Sequence, residues 1–96
     1  MPAQDLTVPD ATPVLDLLET FRRSKVMFAG VDLGLFDALR SGPQTAPALA
    51  SRLSLHADSL AQLLDACVCL QLVTKRTPDA GGDPLYANTP TATAYL

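Results

Sequence analysis

Tryptophan is absent from this 96-residue chain, and aromatic side chains of any kind make up only 5% of it. Any core must therefore be aliphatic. No apolar run approaches the roughly 18 residues that cross a bilayer as a helix, so no membrane span is expected. Met1 to Thr12 lacks the basic start and apolar stretch of a secretory signal and reads as a loose leader over residues 1–11. Cys67 and Cys69 are too few for a disulfide framework. Two apart on a helix, they point to nearly opposite sides and can neither bridge nor share a metal. Both are expected as buried small apolar groups in a reducing compartment, and the protein as cytoplasmic. The lone histidine, His56, has no cysteine or carboxylate cluster at ligand spacing, so no metal is expected. Neither G-x-S-x-G nor H-E-x-x-H occurs, and Gly81-Gly82 opens no helix that could cradle a phosphate. This stretch alone is expected to catalyse nothing. Lysine and arginine are also scarce, seven against ten Asp and Glu, and the net charge of −3 argues against nucleic acid and anionic membranes as partners.

What the chain does have is 48% hydrophobic residues, enough for one small core over residues 12–96. Thr12-Pro13 reads as an N-cap followed by a first-turn proline. From there Val14, Leu17, Leu18, Phe21, Lys25 and Phe28 fall on one stripe at helical spacing. Beyond Lys25 the sequence Val26-Met27-Phe28-Ala29-Gly30-Val31 is apolar on every side, which requires cover on every side. Gly34 is a plausible stop, with a short amphipathic turn at Leu35–Leu39 and a break at Ser41-Gly42-Pro43. Thr45 then caps a short helix with Ala46, Leu49, Ala50 and Leu53 inward. After a corner at Ser54–Ala57, a longer helix from about Asp58 to Gln71 buries Leu60, Leu63, Leu64 and Cys67. That spacing is a helix-turn-helix.

Leu72–Arg76 and Leu85–Ala87 read as two short strands joined by a turn-rich, polar tip, Thr77–Pro84. The expected fold is mainly α: a winged helix preceded by a long helix. A stand-alone DNA-binding regulator is the obvious alternative function. Against it, the second helix of the helix-turn-helix carries no Lys or Arg, only Asp58 and Asp65, where phosphate contacts need cations. The apolar surplus of Val26–Leu35 instead suggests an interface, with a second copy or with a different protein. Thr89-Pro90 announces a further helix of about seven residues, marginal alone in water, so the chain is expected to be the front module of a longer protein.

Several fragments resemble, in order and spacing, the opening of the acetylserotonin O-methyltransferase-like family. They are Phe21-x-x-Ser24-x-Val26-x-Phe28-Ala29, Asp32-Leu33-Gly34-Leu35-Phe36-Asp37-x-Leu39, Leu63-Leu64-Asp65-x-Cys67-Val68-x-Leu70-x-Leu72-Val73, and Tyr86-x-Asn88-Thr89 with Tyr95-Leu96. The resemblance covers about residues 12 to 96. It implies a dimerisation domain whose partner is a second copy of itself, and a separate catalytic domain that binds S-adenosylmethionine and lies outside this chain. No cofactor-binding and no catalytic residue is expected here. It further implies that the first helix meets the partner subunit, through Val14, Leu17, Leu18, Phe21, Met27, Phe28 and Val31. Phe21, Lys25 and Phe28 are expected to reach the partner's substrate pocket. Lys25, a long cation, stands where many relatives place something apolar.

Overall fold

A computed structural model describes residues 8–96; residues 1–7 of the expected leader lie outside the described residues. Its elements are α1 (Thr12–Asp32), α2 (Leu35–Leu39), β1 (Gln44–Thr45), α3 (Ala46–Leu53), α4 (Ala57–Cys69), β2 (Val73–Arg76), β3 (Leu85–Asn88) and α5 (Pro90–Tyr95). The mainly helical winged-helix plan forms as expected, with α3 and α4 as the helix-turn-helix and β2–β3 as the wing. One strand was not foreseen. Gln44 and Thr45 add to the free edge of β3, opposite Tyr86 and Leu85, giving an antiparallel sheet of order β1-β3-β2. Two residues carry no alternation to read, and only the exposed edge of β3 makes them a strand.

Local chemistry explains most of the helix boundaries. Thr45 Oγ1 accepts the Ala48 amide at 3.2 Å, and Thr89 Oγ1 accepts that of Ala92 at 3.3 Å, so both threonines cap as expected. His56, at the corner, caps α4: its Nδ1 accepts the Ser59 amide at 3.4 Å. Gly34 takes φ 76°, the left-handed conformation that lets the chain turn from α1 into α2 without a Cβ clash. Ser54 and Gln71 end α3 and α4 in the same region without being glycine, at φ 58° and 64°.

Two expectations are corrected. Thr12 does not cap α1. It is the first helical residue, Ala11 holds the cap position without a side-chain bond, and the Thr12 amide donates to Asp10 Oδ1 at 2.9 Å. A proline fits either of the first two helical positions, and a carboxylate suits the positive end of the helix, so the capping role moves upstream to Asp10. Nor are both cysteines buried. Cys67 is enclosed, whereas Cys69, about 200° further round α4, is exposed.

Leu35, Phe36, Leu49, Leu64, Cys67 and Val73 fill the centre of the core, the Leu, Phe and Val side chains contributing about 1.5–3 kcal/mol each through burial. Arg52 donates to the carbonyl of Ala38 at 3.0 Å and pins the turn after α2. Asn88 Nδ2 donates to the Phe36 carbonyl at 2.9 Å and ties β3 to α2. By contrast, α1 gives only Gly30 to the fully buried set, with Val26 packed against it. The chain accordingly measures 64 × 29 × 25 Å with a radius of gyration of 18.4 Å, against roughly 13 Å for a compact domain of about this length. The first half of α1 adds to that length, since every residue of Thr12–Arg23 is exposed.

Candidate dimer interface

α1 is 21 residues long, close to six turns, and its second half packs on α2 and α4. At 100° per residue, Val26 and Gly30 turn toward the core while Phe21 lies half a turn away from Gly30. Phe28 points to the same outer side. Every large apolar residue on that side faces solvent: Leu17 is 71% exposed, Phe21 59% and Phe28 57%, with Val14, Leu18 and Val31 also open. The core of this domain cannot reach them. Exposed apolar faces of this extent mark interaction sites in other proteins.

Six of the seven expected interface residues are thus available to a partner as placed. Met27 sits differently. It is half-buried and lines a groove with Arg23, Ser24, Leu70 and Leu72, where α1 passes the end of α4. Leu15 and Leu33 are exposed as well, Leu33 within the apolar stretch Val26–Leu35 and Leu15 outside it. Leu15 falls off the main stripe, so periodicity gives no signal for it, and Leu33 follows the last helical residue.

Of the three residues expected to reach a partner's pocket, Lys25 holds its Nζ 5.4 Å from the centroid of the Phe21 ring. That contact pairs the cation with the ring face and keeps its stem along the apolar stripe. Glu19 and Arg22, one turn apart at 3.7 Å, are largely exposed and contribute little to stability.

At the wing, a carboxylate of α4 is bonded to both strands. Asp65 Oδ1 accepts hydrogen bonds from Tyr86 Oη at 2.8 Å and from Lys75 Nζ at 3.0 Å, locking α4 to the sheet. Hydrogen bonding to Lys75 and then Tyr86 holds the Asp65 carboxyl below its ordinary value. Burial, followed by the bond to Asp65, raises the Tyr86 phenol. One of the two wing-base cations is therefore engaged by α4, and α4 itself offers only Asp58 and Asp65 as charges. Among the described residues no group of three His, Cys, Asp or Glu could hold a metal, and no helix is long and apolar enough to cross a membrane.

A helix-turn-helix whose second helix carries no Lys or Arg, joined to a long helix with an uncovered apolar face, has counterparts among known proteins. The family model for the O-methyltransferase dimerisation domain matches residues 15–96. Acetylserotonin O-methyltransferase of Mus musculus is 39% identical over 87 residues, covering 91% of this chain and 22% of that protein. N,N-dimethyltransferase OxyT of Streptomyces rimosus is 37% identical over 89 residues, covering 93% and 24%. The crystal structure of human N-acetylserotonin methyltransferase in complex with SAM superposes with a TM-score of 0.79 at 34% identity, covering 100% of this chain and 27% of that one. The chain spans about a quarter of the length of these relatives. With its fold, its uncovered first helix and these matches in agreement, the chain belongs to the O-methyltransferase dimerisation-domain family.

Proposed function

We propose that this chain, over residues 12–96, is the self-association module of an S-adenosylmethionine-dependent small-molecule O-methyltransferase of the cytoplasm. The observation that carries the reading is the outer face of α1, apolar and beyond the reach of its own core. The whole enzyme's methyl transfer belongs to a catalytic domain outside this chain. Among the described residues the glycine pair Gly81-Gly82 does not fit the cofactor, because it lies at the exposed wing tip and precedes a strand rather than a helix. No catalytic step is therefore derived from this chain.

Its contribution is position. Holding two subunits together fixes each catalytic domain against its neighbour, and a helix that crosses to the partner adds a wall to the partner's pocket. Phe21, Lys25 and Phe28 are the residues proposed to form that wall, because all three are exposed on the outer face. In the whole enzyme, Lys25→Ala should raise the KM for the methyl acceptor and leave kcat nearly unchanged; an unaltered KM removes Lys25 from the pocket.

The self-association itself is tested by light scattering across a dilution series. A mass near twice 10.1 kDa, persisting to low micromolar, is expected. A folded monomer throughout that range overturns the reading.

A further inference from the structure

Lys25 is a cation in the middle of an apolar strip. At 100° per residue it lies about 40° to one side of Phe21 and Phe28 about 20° to the other, so the three share one face over about 10 Å of helix. Both rings are more than half exposed, and the Lys25 side chain is exposed between them. Its ammonium is 5.4 Å from the centroid of the Phe21 ring. No carboxylate answers this charge among the described residues, where the ion pairs join Glu19 with Arg22, Asp37 with Arg40 and Asp65 with Lys75. Asp16 and Glu19 fall roughly 140° and 160° from Phe21, on the other side of α1. Asp32 returns to the outer side only at the last helical residue, about 10 Å beyond Lys25 along the axis.

Water satisfies that ammonium while the strip is open. Covering the strip removes the water, and a cation desolvated without an anion is costly. A strip that works as a pocket wall can keep a lysine at its centre when the occupant brings the anion. We infer that the methyl acceptor facing this wall is an anionic aromatic, a hydroxyarene that also carries a carboxylate. Its ring lies against the phenyl rings of Phe21 and Phe28, and its carboxylate accepts from Lys25 Nζ. This rests on the reading above that the strip reaches a partner subunit's substrate pocket, and it names the class of substrate.

Charge and shape choose among the anions. A lysine is a single point charge on a flexible stem, which matches one carboxylate, whereas a doubly charged phosphate is better met by an arginine fork or by several cations. Neither neighbouring arginine joins Lys25: Arg22 pairs with Glu19, and Arg23 lines the groove beside Met27 and Leu70. The hydroxyl that receives the methyl group is not the anion in question. A phenol titrates near pH 10 and arrives neutral, while a carboxyl arrives ionised. The aromatic part follows from the two open rings, since stacked or edge-to-face rings gain more than the area they bury.

Paired acceptors test the charge. The whole enzyme is assayed with hydroxybenzoic acids, each against its own carboxamide, which keeps the ring and the hydroxyl and removes only the charge. The parent should favour the acid in kcat/KM by about tenfold to a hundredfold, the range of one charge-assisted hydrogen bond, with the difference carried by KM. Lys25→Met should bring the ratio near one by weakening the acid alone, Lys25→Glu should invert it, and Lys25→Arg should restore most of it. Lys25 is exposed, so thermal melts of these variants should match the parent. A parent that takes only the carboxamides, or none of the series, overturns the substrate class. If Lys25→Met raises KM equally for acid and carboxamide, the substrate class falls while the wall stands. If it leaves every KM unchanged, both fall. If it leaves the ratio unchanged and weakens self-association in light scattering, the anion is a carboxylate of the second copy and the proposal is overturned.

Discussion

Gly30 of α1 lies so close to Phe36 of α2 that a Cβ at position 30 would sit 2.8 Å from Cε2 of the phenyl ring and 3.0 Å from Cζ. Phe36 is almost fully enclosed, so its ring has nowhere to retreat. This single close approach lets the long helix lie flat on the core.

Gly30→Ala should therefore destabilise the domain. Alanine gains about 1 kcal/mol of helix propensity, but overpacking against an immobile ring costs about 1–3 kcal/mol. A net loss near 1 kcal/mol, seen as a Tm lower by several degrees, is expected, and Gly30→Val should lose more. An unchanged or higher Tm would show that the ring yields.

Phe28→Asp should separate interface from core. Phe28 faces solvent in the monomer, so the variant should keep its cooperative unfolding within about 0.5 kcal/mol of the parent monomer while losing self-association. Phe36→Asp, which buries an unpaired charge, should not fold. Circular dichroism melts and light scattering distinguish the two. If Phe28→Asp unfolds the chain, α1 belongs to the core more than its exposure suggests.

The bonds that Lys75 and Tyr86 make to Asp65 give stability a pH dependence. Because the folded carboxyl titrates below its ordinary 3.8, its contribution is present above that value and fades as pH falls through the folded value. Asp65 is half exposed, which limits the effect to under about 1 kcal/mol. Urea titrations should find Asp65→Asn less stable than the parent at pH 7, with the gap closing below pH 3.8. A constant gap down to pH 2.5 would contradict the assignment.

The two thiols should behave oppositely. Burial pushes the Cys67 thiol up to about 11, while Cys69 is open to solvent. A thiol reagent at pH 8 should label one cysteine rapidly in the native chain and the second only on unfolding. Cys69→Ser should abolish the fast phase. Two equally fast sulfhydryls would mean that α4 opens readily.

Gln71→Gly should stabilise the domain. Gln71 holds φ 64° where α4 gives way to β2, and the Leu72 amide reaches back to the Cys67 carbonyl at 3.0 Å. A side chain in this left-handed conformation is strained by about 1 kcal/mol, which glycine relieves in part. A gain of about 0.5 kcal/mol by denaturant unfolding is expected.

Much of this protein was decided within a few residues of each position. The threonines at 45 and 89 cap helices because their side chains reach amides three residues on, and hydrophobic spacing in Leu60, Leu64 and Cys67 fixes which side of α4 is buried. The missing cations of α4 and the ordered family fragments were equally legible, since both are matters of composition and spacing. What remained hidden depends on partners far along the chain. Gln44-Thr45 becomes a strand only because β3 offers an edge, and His56 caps α4 with a ring nitrogen rather than a preferred capping residue. Met27 turns into a groove because Leu70 and Leu72 happen to arrive beside it. Above all, the sequence of α1 is apolar all round after Lys25, so periodicity could not say which side meets the core. Gly30 settles that: it is the position where no side chain separates the helix from Phe36, and packing turns that face inward and leaves Phe21 and Phe28 outside.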